Sequence, residues 1–187
     1  MPKPLSRIRR ASDAGVELGA AFREAMSHLA ATVVMVTTTI DEKPWALTIS
    51  ACCSVSAKPP TILVSLGSAT ASAGAIHRGG TFGVSILGEG GIEAARAGAR
   101  PGVPKFAEHL CRPEEVAREG QEGTLRTPVL RGAVAHLDCA VVREVEVADH
   151  TVFFAEVRDI VLSPGTPPLI YWGRDYAEID RGEPWYG

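Results

Sequence analysis

The stretch from Pro44 to Ile76, PWALTISACCSVSAKPPTILVSLGSATASAGAI, concentrates the residues of this chain that can do chemistry. Two apolar β-rich runs, Trp45–Ser50 and Thr61–Leu66, flank a segment of small and hydroxylated residues, and the second run opens into another. Thr48, Ser50, Ser54, Ser56, Ser65, Ser68, Thr70 and Ser72 crowd the strand ends, and bulky side chains are missing where the chain turns. A flat, phosphorylated ligand laid along a sheet needs such a surface: a backbone that can be approached closely and short donors aimed at oxygens. The same composition also suits a Ser/Ala-rich hairpin loop with solvated hydroxyls, and on composition alone that reading leads.

Elements on either side must hold this stretch in place. Phe22, Met26 and Leu29 fall at helical spacing, which predicts a first amphipathic helix over Glu17–Ala30. Val33–Thr39 is β-branched and predicts a buried strand, with Asp41–Pro44 turning into the Trp45 strand. Ser72–His77 predicts one or two helical turns before Gly79-Gly80, and Phe82–Leu87 a further strand. Ile92–Ala99 reads as a short Ala-rich helix. Arg100–Thr127 is polar and punctuated by Pro and Gly, with a helix expected near Pro113–Glu119 and a flap as its expected role. Ala133–Val147 alternates, placing Ala133, Ala135, Leu137, Cys139, Val141, Val145 and Val147 on one face. His136, Asp138, Glu144 and Glu146 take the other, half-exposed face. Thr151–Leu162 returns as its hairpin partner, and Leu169–Trp172 is the expected last strand. Short strands in hairpin order with few, peripheral helices indicate a mainly β, antiparallel barrel rather than a βαβ sandwich.

Composition removes several classes of function. The 187 residues suit one domain, with 45% hydrophobic and 22% charged residues and a net charge of -3. Nucleic acid and an anionic membrane both demand a basic surface, so neither is expected as partner. Lys3, Arg7, Arg9 and Arg10 are followed by no apolar run, which argues for an N-terminal arm over 1–17 rather than a signal peptide. Cys52, Cys53, Cys111 and Cys139 have no zinc spacing, so no metal site is expected; all four read as small buried hydrophobes in a reducing cytoplasm. No G-x-G-x-x-G follows the first strand, which argues against a Rossmann nucleotide site. No Ser-His-Asp spacing or paired acidic motif is present either.

The ordered motifs resemble the flavin reductase family, small enzymes that supply reduced FMN or FAD to two-component monooxygenases. The family's run appears as Trp45, Ala46, Leu47, Thr48, Ile49, Ser50 and Ala51, then Ser54-Val55-Ser56 and Pro59-Pro60. Phe22–Ala31, Thr32–Thr39, Phe82–Leu87, Lys105-Phe106, Pro128-Val129-Leu130, Leu137-Asp138-Cys139 and Asp149-His150-Thr151 occur in the family's order. The match runs from Phe22 to Tyr171, within a domain bounded at 18–180 and followed by a tail at 181–187.

The resemblance implies a six-stranded antiparallel split barrel with peripheral helices, a homodimer with flavin near the subunit interface, and a flavin-dependent monooxygenase as partner. It implies NADH or NADPH as hydride donor and FMN or FAD as acceptor. Thr48, Ile49, Ser50 and Ala51 would lie along the flavin ring, partly through backbone amides. Ser54, Ser65, Leu66, Gly67, Ser72, Lys105 and Phe106 would line the ribityl-phosphate path or close the pocket. His150 would border the nicotinamide or the flavin ring as the catalytic residue, and the other histidines have no comparable support. Gly67, Ser68 and Ala71 stand where the family commonly has Asn, Arg and Ser, which removes phosphate donors and leaves FMN and FAD both open. Two alternatives share the barrel: a flavin- or haem-binding protein without reductase activity, and a pyridoxamine-phosphate oxidase-like enzyme, for which Lys58 and Arg78 alone are thin support.

Overall fold

The computed structural model describes residues 17–103, 105, 110–111, 125–163 and 165–179. The expected N-terminal arm, the helix near Pro113–Glu119, Phe106 and the tail at 181–187 lie outside the described residues.

In chain order the elements begin with α1 (Leu18–Ser27), β1 (Ala31–Thr32), β2 (Val34–Ile40), β3 (Lys43–Ile49), β4 (Cys52–Ala57) and β5 (Pro60–Gly67). Then come α2 (Ala71–Gly79), β6 (Thr81–Leu87), α3 (Ile92–Ala99), β7 (Leu110–Cys111) and β8 (Val129–Leu130). The chain finishes with β9 (Ala133–Val147), β10 (His150–Leu162), β11 (Ile170–Trp172) and β12 (Asp175–Ala177). The large sheet has seven strands rather than the six expected, in the order β3-β2-β6-β9-β10-β5-β4, and every pairing in it is antiparallel. Two small sheets, β1-β11-β12 and β7-β8, stand beside it.

The additional strand is β4. Its sequence, CCSVSA, has Val55 as its one branched residue and no aromatic, so it reads as a connection; paired with β5 it becomes an edge strand with five of its six residues exposed. The edges β3 and β4 are not hydrogen-bonded to each other, so the sheet is not a closed six-stranded barrel. It cannot be flat either. Seven strands laid flat would separate the edge strands by about 29 Å. Only Ser50 and Ala51 join β3 to β4, a reach of roughly 10 Å. The sheet therefore curls until the ends of its two edges meet.

Curling gives the sheet an inner and an outer face, both covered. Val34, Val36, Ile62, Val64, Leu66, Phe82, Val84, Cys139, Phe153 and Ala155 pack inside with Ala73 and Ile76 of α2. Val33, Met35, Ala46, Leu87 and Ala133 pack outside with Ala95 of α3 and with Leu110, Leu130 and Leu169. Covering on both faces explains why β2 is buried without interruption from Val34 to Thr38.

Two helix placements and one irregular strand shape the surface of the sheet. Helix α2 is capped by Thr70, whose Oγ1 accepts from Ala73 N at 3.2 Å, and it ends at Gly80 in the left-handed region, φ 67°. Helix α3 lies against β3: Thr48 Oγ1 donates to Ala95 O at 2.9 Å, and any Cβ on Gly98 would overlap Thr48 Oγ1 and press on Met35. Strand β9 does not alternate as expected. A bulge leaves Val142 opposite nothing and 57% exposed, and His136 and Asp138, expected on a half-exposed face, are 1% and 2% exposed. That face is roofed by Thr127–Leu130, so it is interior.

The cysteines divide. Cys52 packs against the inner core and Cys139 lies within it, whereas Cys53 is exposed, which corrects its reading as buried. Burial pushes the Cys52 and Cys139 thiols up to about 11 and about 12, so both stay protonated.

Candidate functional site

The hydroxyl-rich end of β5 and the head of α2 form one continuous surface. His150, first residue of β10, pairs with Gly67, the last of β5, and Thr151 pairs with Leu66. Thr70 N donates to Gly67 O at 3.0 Å, Ser68 N donates to Asp149 O at 2.9 Å, and the hydroxyls of Ser68 and Thr151 lie 2.8 Å apart. Gly67 thus connects His150 to the helix that begins four residues later.

On its other flank the head of α2 meets β3. Trp45 Nε1 donates to Ser72 Oγ at 3.1 Å, and Ser72 is 1% exposed. Between them opens a cavity of about 720 Å³, lined by Trp45 and Leu47, by Ala69–Ser72, by Ile40 and Asp41, and by Ala99–Val103 with Lys105. That volume lies within the roughly 300–1,000 Å³ of small-molecule sites. The first-turn amides of Ala71 and Ser72 have no acceptor within their own helix, so the helix offers its positive end here. Lys105 donates its Nζ to Arg100 O, its own carbonyl accepts from Ala46 N at 3.1 Å, and partial burial lowers its pKa.

Of the residues singled out from sequence, Ser72 and Lys105 line this cavity. Gly67 and His150 stand together at the β5–β10 end, with Ser65 and Leu66 preceding them; Leu66 is a core residue, 1% exposed. Ser50 and Ala51 are exposed at the junction of the sheet edges, where Ser65 N donates to Ala51 O at 3.0 Å. Ile49 is half-buried against the inner core, and Ser54 is exposed on β4. The Thr48 hydroxyl is occupied with α3, so it faces the helix rather than the cavity. Phe106 is outside the described residues.

His150 is half exposed. Its Nδ1 lies 2.8 Å from Asp149 Oδ1, and that hydrogen bond, with help from the residue's own backbone, holds the Asp149 carboxyl below its ordinary range. The carboxylate fixes the Nδ1 side of the ring and leaves Nε2 for a ligand.

Comparison with known proteins identifies the family to which this fold belongs. The flavin reductase like domain family matches residues 26–180. The chain belongs to the flavin reductase family. The FMN reductase (NADH) RutF of Ancylobacter novellus is 37% identical over 162 residues, covering 84% of this chain and 83% of that protein. The reductase component of a 4-nitrophenol 4-monooxygenase/4-nitrocatechol 2-monooxygenase from Rhodococcus opacus is 36% identical over 155 residues, 83% of this chain and 78% of that protein. Among solved structures, the NADH:FAD oxidoreductase SgcE6 of Streptomyces globisporus, in complex with NAD and FAD fragments, superposes with a TM-score of 0.77. It shares 26% identity and covers 95% of this chain and 99% of its own.

One cluster of this flavin reductase family member was not foreseen from sequence. Leu130 N donates to Ser85 Oγ at 3.2 Å, and Ser85 Oγ lies 2.9 Å from His136 Nδ1. His136 Nε2 lies 3.1 Å from Thr127 Oγ1, which donates to Asp138 Oδ1 at 2.5 Å; Arg126 N also donates to Asp138 Oδ1, at 3.2 Å. The polarity requires a proton on Nε2, because Thr127 gives its single proton to Asp138 and must accept from the imidazole. Burial drives the His136 pKa down to about 4, with Asp159 opposing. Gly83 forms the wall of this chamber, since a Cβ there would overlap Thr37 Oγ1, His136 Cε1 and Thr127 Oγ1. The signal in the sequence was two polar residues two apart in the otherwise apolar first half of the strand, Ala133–Val142; assigning them to solvent presupposed an uncovered face.

Proposed function

We propose that the protein is an NADH-dependent flavin reductase that passes reduced FMN or FAD to a partner monooxygenase. Family membership supports this, and the observation that carries it is the unbroken surface from His150 through Gly67 to the head of α2 and its cavity. Nicotinamide and flavin supply the redox chemistry between them, a hydride moving from the one ring to the other. The chain's own residues bind and orient.

The amides of Ala71 and Ser72 suit the flavin phosphate, with Lys105 and Arg100 as nearby cations and small Ala69 and Ala71 allowing close approach. Ile49, Ser50, Ala51, Ser54, Ser65, Leu66 and Gly67 are proposed along the ring and ribityl chain, and Thr48 contributes through its backbone alone. His150, oriented by Asp149, is proposed to present Nε2 to the nicotinamide carboxamide or to the oxygen edge of the flavin.

A homodimer belongs to the same reading. Leu18, Phe22, Met26 and Leu29 are all more than 40% exposed, as is Val55 on the edge strand β4, and a second copy would cover such surface. Light scattering is expected to give twice the 19.8 kDa of one chain. No helix among the described residues is long and apolar enough to cross a membrane, and the free thiols of Cys52, Cys53 and Cys139 suit a reducing cytoplasm. The proposed domain is 18–180.

Steady-state absorbance at the nicotinamide band tests the reading. NADH is expected to be consumed only when FMN or FAD is added, and no flavin-stimulated loss would overturn it.

A further inference from the structure

None of Ser85, Thr127, His136 and Asp138 lines the cavity, yet their cluster reaches it through two short strands. Strand β8 is held at both ends. Arg126 N and Thr127 Oγ1 donate to Asp138 Oδ1 just before it, and Leu130 N, at its end, donates to Ser85 Oγ. Strand β8 in turn pairs with β7, Leu110 opposite Leu130 and Cys111 opposite Val129. Leu110 packs with Ala46 of β3 in the outer core, and five residues before it stands Lys105 in the cavity wall, its carbonyl accepting from Ala46 N at 3.1 Å. We infer that the buried cluster positions the flavin site: by fixing the register of β8, and with it β7, it sets where the Lys105 ammonium stands.

The physical case is one of register. A sheet of two strands with two residues each has little to hold it by itself. The contacts of Leu110 and Leu130 with the outer core bury apolar surface but have no direction, so they permit β8 to slide over the sheet. Hydrogen bonds at both of its ends do not. Apolar residues of similar volume would cover this face at no greater cost than a buried imidazole and carboxyl group, all four side chains of the cluster being 2% exposed or less. What the polar groups add is one arrangement among those that burial alone allows. Gly67 and His150 are paired by β5 and β10, which need nothing from β8. Loosening the cluster therefore weakens the hold on flavin and spares the hydride step.

The inference rests on the proposed placement of the flavin phosphate beside Lys105. Thr127→Val removes both bonds of the hydroxyl while keeping the shape of the side chain, and Thr127→Ser keeps the hydroxyl. FMN affinity, read from flavin fluorescence as full-length protein is titrated in, is expected to fall about five-fold in Thr127→Val and to return in Thr127→Ser. The KM for FMN is expected to rise in parallel, with kcat per folded molecule within about two-fold of wild type. Lys105→Met keeps the stem and removes the charge; in that background Thr127→Val is expected to add little, because the two act through one group. Melting temperatures on the same samples report folding, and Ser85→Ala, which releases the other end of β8, takes the place of Thr127→Val if that variant does not fold. Unchanged FMN affinity in the folded variant, or effects that simply add to that of Lys105→Met, would overturn the inference. A lowered melting temperature and kcat with the KM unmoved would overturn it too, leaving the cluster a matter of stability. A wild-type protein that binds FMN but oxidises no NADH would overturn the reductase reading alone, and the affinities would still decide the role of the cluster.

Discussion

Two histidine–aspartate pairs sit on the β9–β10 hairpin. His136 and Asp138 lie early in β9, bridged by Thr127 and fully buried; Asp149 and His150 lie at the turn, bonded directly at 2.8 Å and open to solvent. The residue types are the same and the consequences opposite. Inside, desolvation keeps the imidazole neutral to about pH 4 and every proton of the chain Leu130–Ser85–His136–Thr127–Asp138 has one assigned acceptor. Such a network stabilises one packing and has nothing spare for a ligand. Outside, the carboxylate orients a ring whose second nitrogen stays available. A histidine beside an aspartate is therefore no signature of catalysis; what covers it decides.

The sharpest way to break the contrast is to damage the interior pair. Gly83→Ala would drive a methyl into Thr37, His136 and Thr127, and it is expected to cost about 3 kcal/mol or more, since all three neighbours are buried short side chains with little room to yield. Urea unfolding measures it, and a loss under about 1 kcal/mol would mean that the chamber is looser than described.

Acid sharpens the comparison next. The folded chain takes up the His136 proton near pH 4, the unfolded chain near 6.5, so the unfolded state binds more protons between those values. Stability is expected to fall as pH drops through that window, by up to ~1.4 kcal/mol per pH unit and on the order of 3 kcal/mol in all. Unfolding midpoints at pH 7 and pH 4.5 for wild type and His136→Gln would show it as a steeper slope in the wild type. Equal slopes would remove His136 from the account.

The exposed pair should respond in rate rather than stability. His150→Ala is expected to slow single-turnover flavin reduction roughly five- to a hundred-fold, the loss of one well-placed hydrogen bond of about 1–3 kcal/mol, with little change in melting temperature. An unchanged rate with a lowered melting temperature would make both pairs structural and collapse the comparison.

Much of the fold was legible because local pattern and final environment agreed. Val33–Thr39, Thr61–Leu66, Phe82–Leu87 and Ile92–Ala99 became strands and a helix close to the expected bounds, and Gly80 closes α2 where a left-handed residue is needed. Cys52–Ala57 escaped because an edge strand facing solvent needs no apolar side chains, only a backbone partner. Helix α1 was legible from its apolar spacing, yet it buries no residue in the single chain.

The order of motifs in the chain by itself determined the family, because each is carried by local residue types that survive without their neighbours. It also determined that Ser72, Lys105, Gly67 and His150 were candidates for the site. Only the tertiary structure decided which hydroxyls remain free for a ligand: Thr48 is taken by α3 and Ser72 by Trp45, from elements 47 and 27 residues away. It alone decided that His136 is interior, because burial depends on what the curled sheet brings over a strand, and no spacing along the strand encodes its roof.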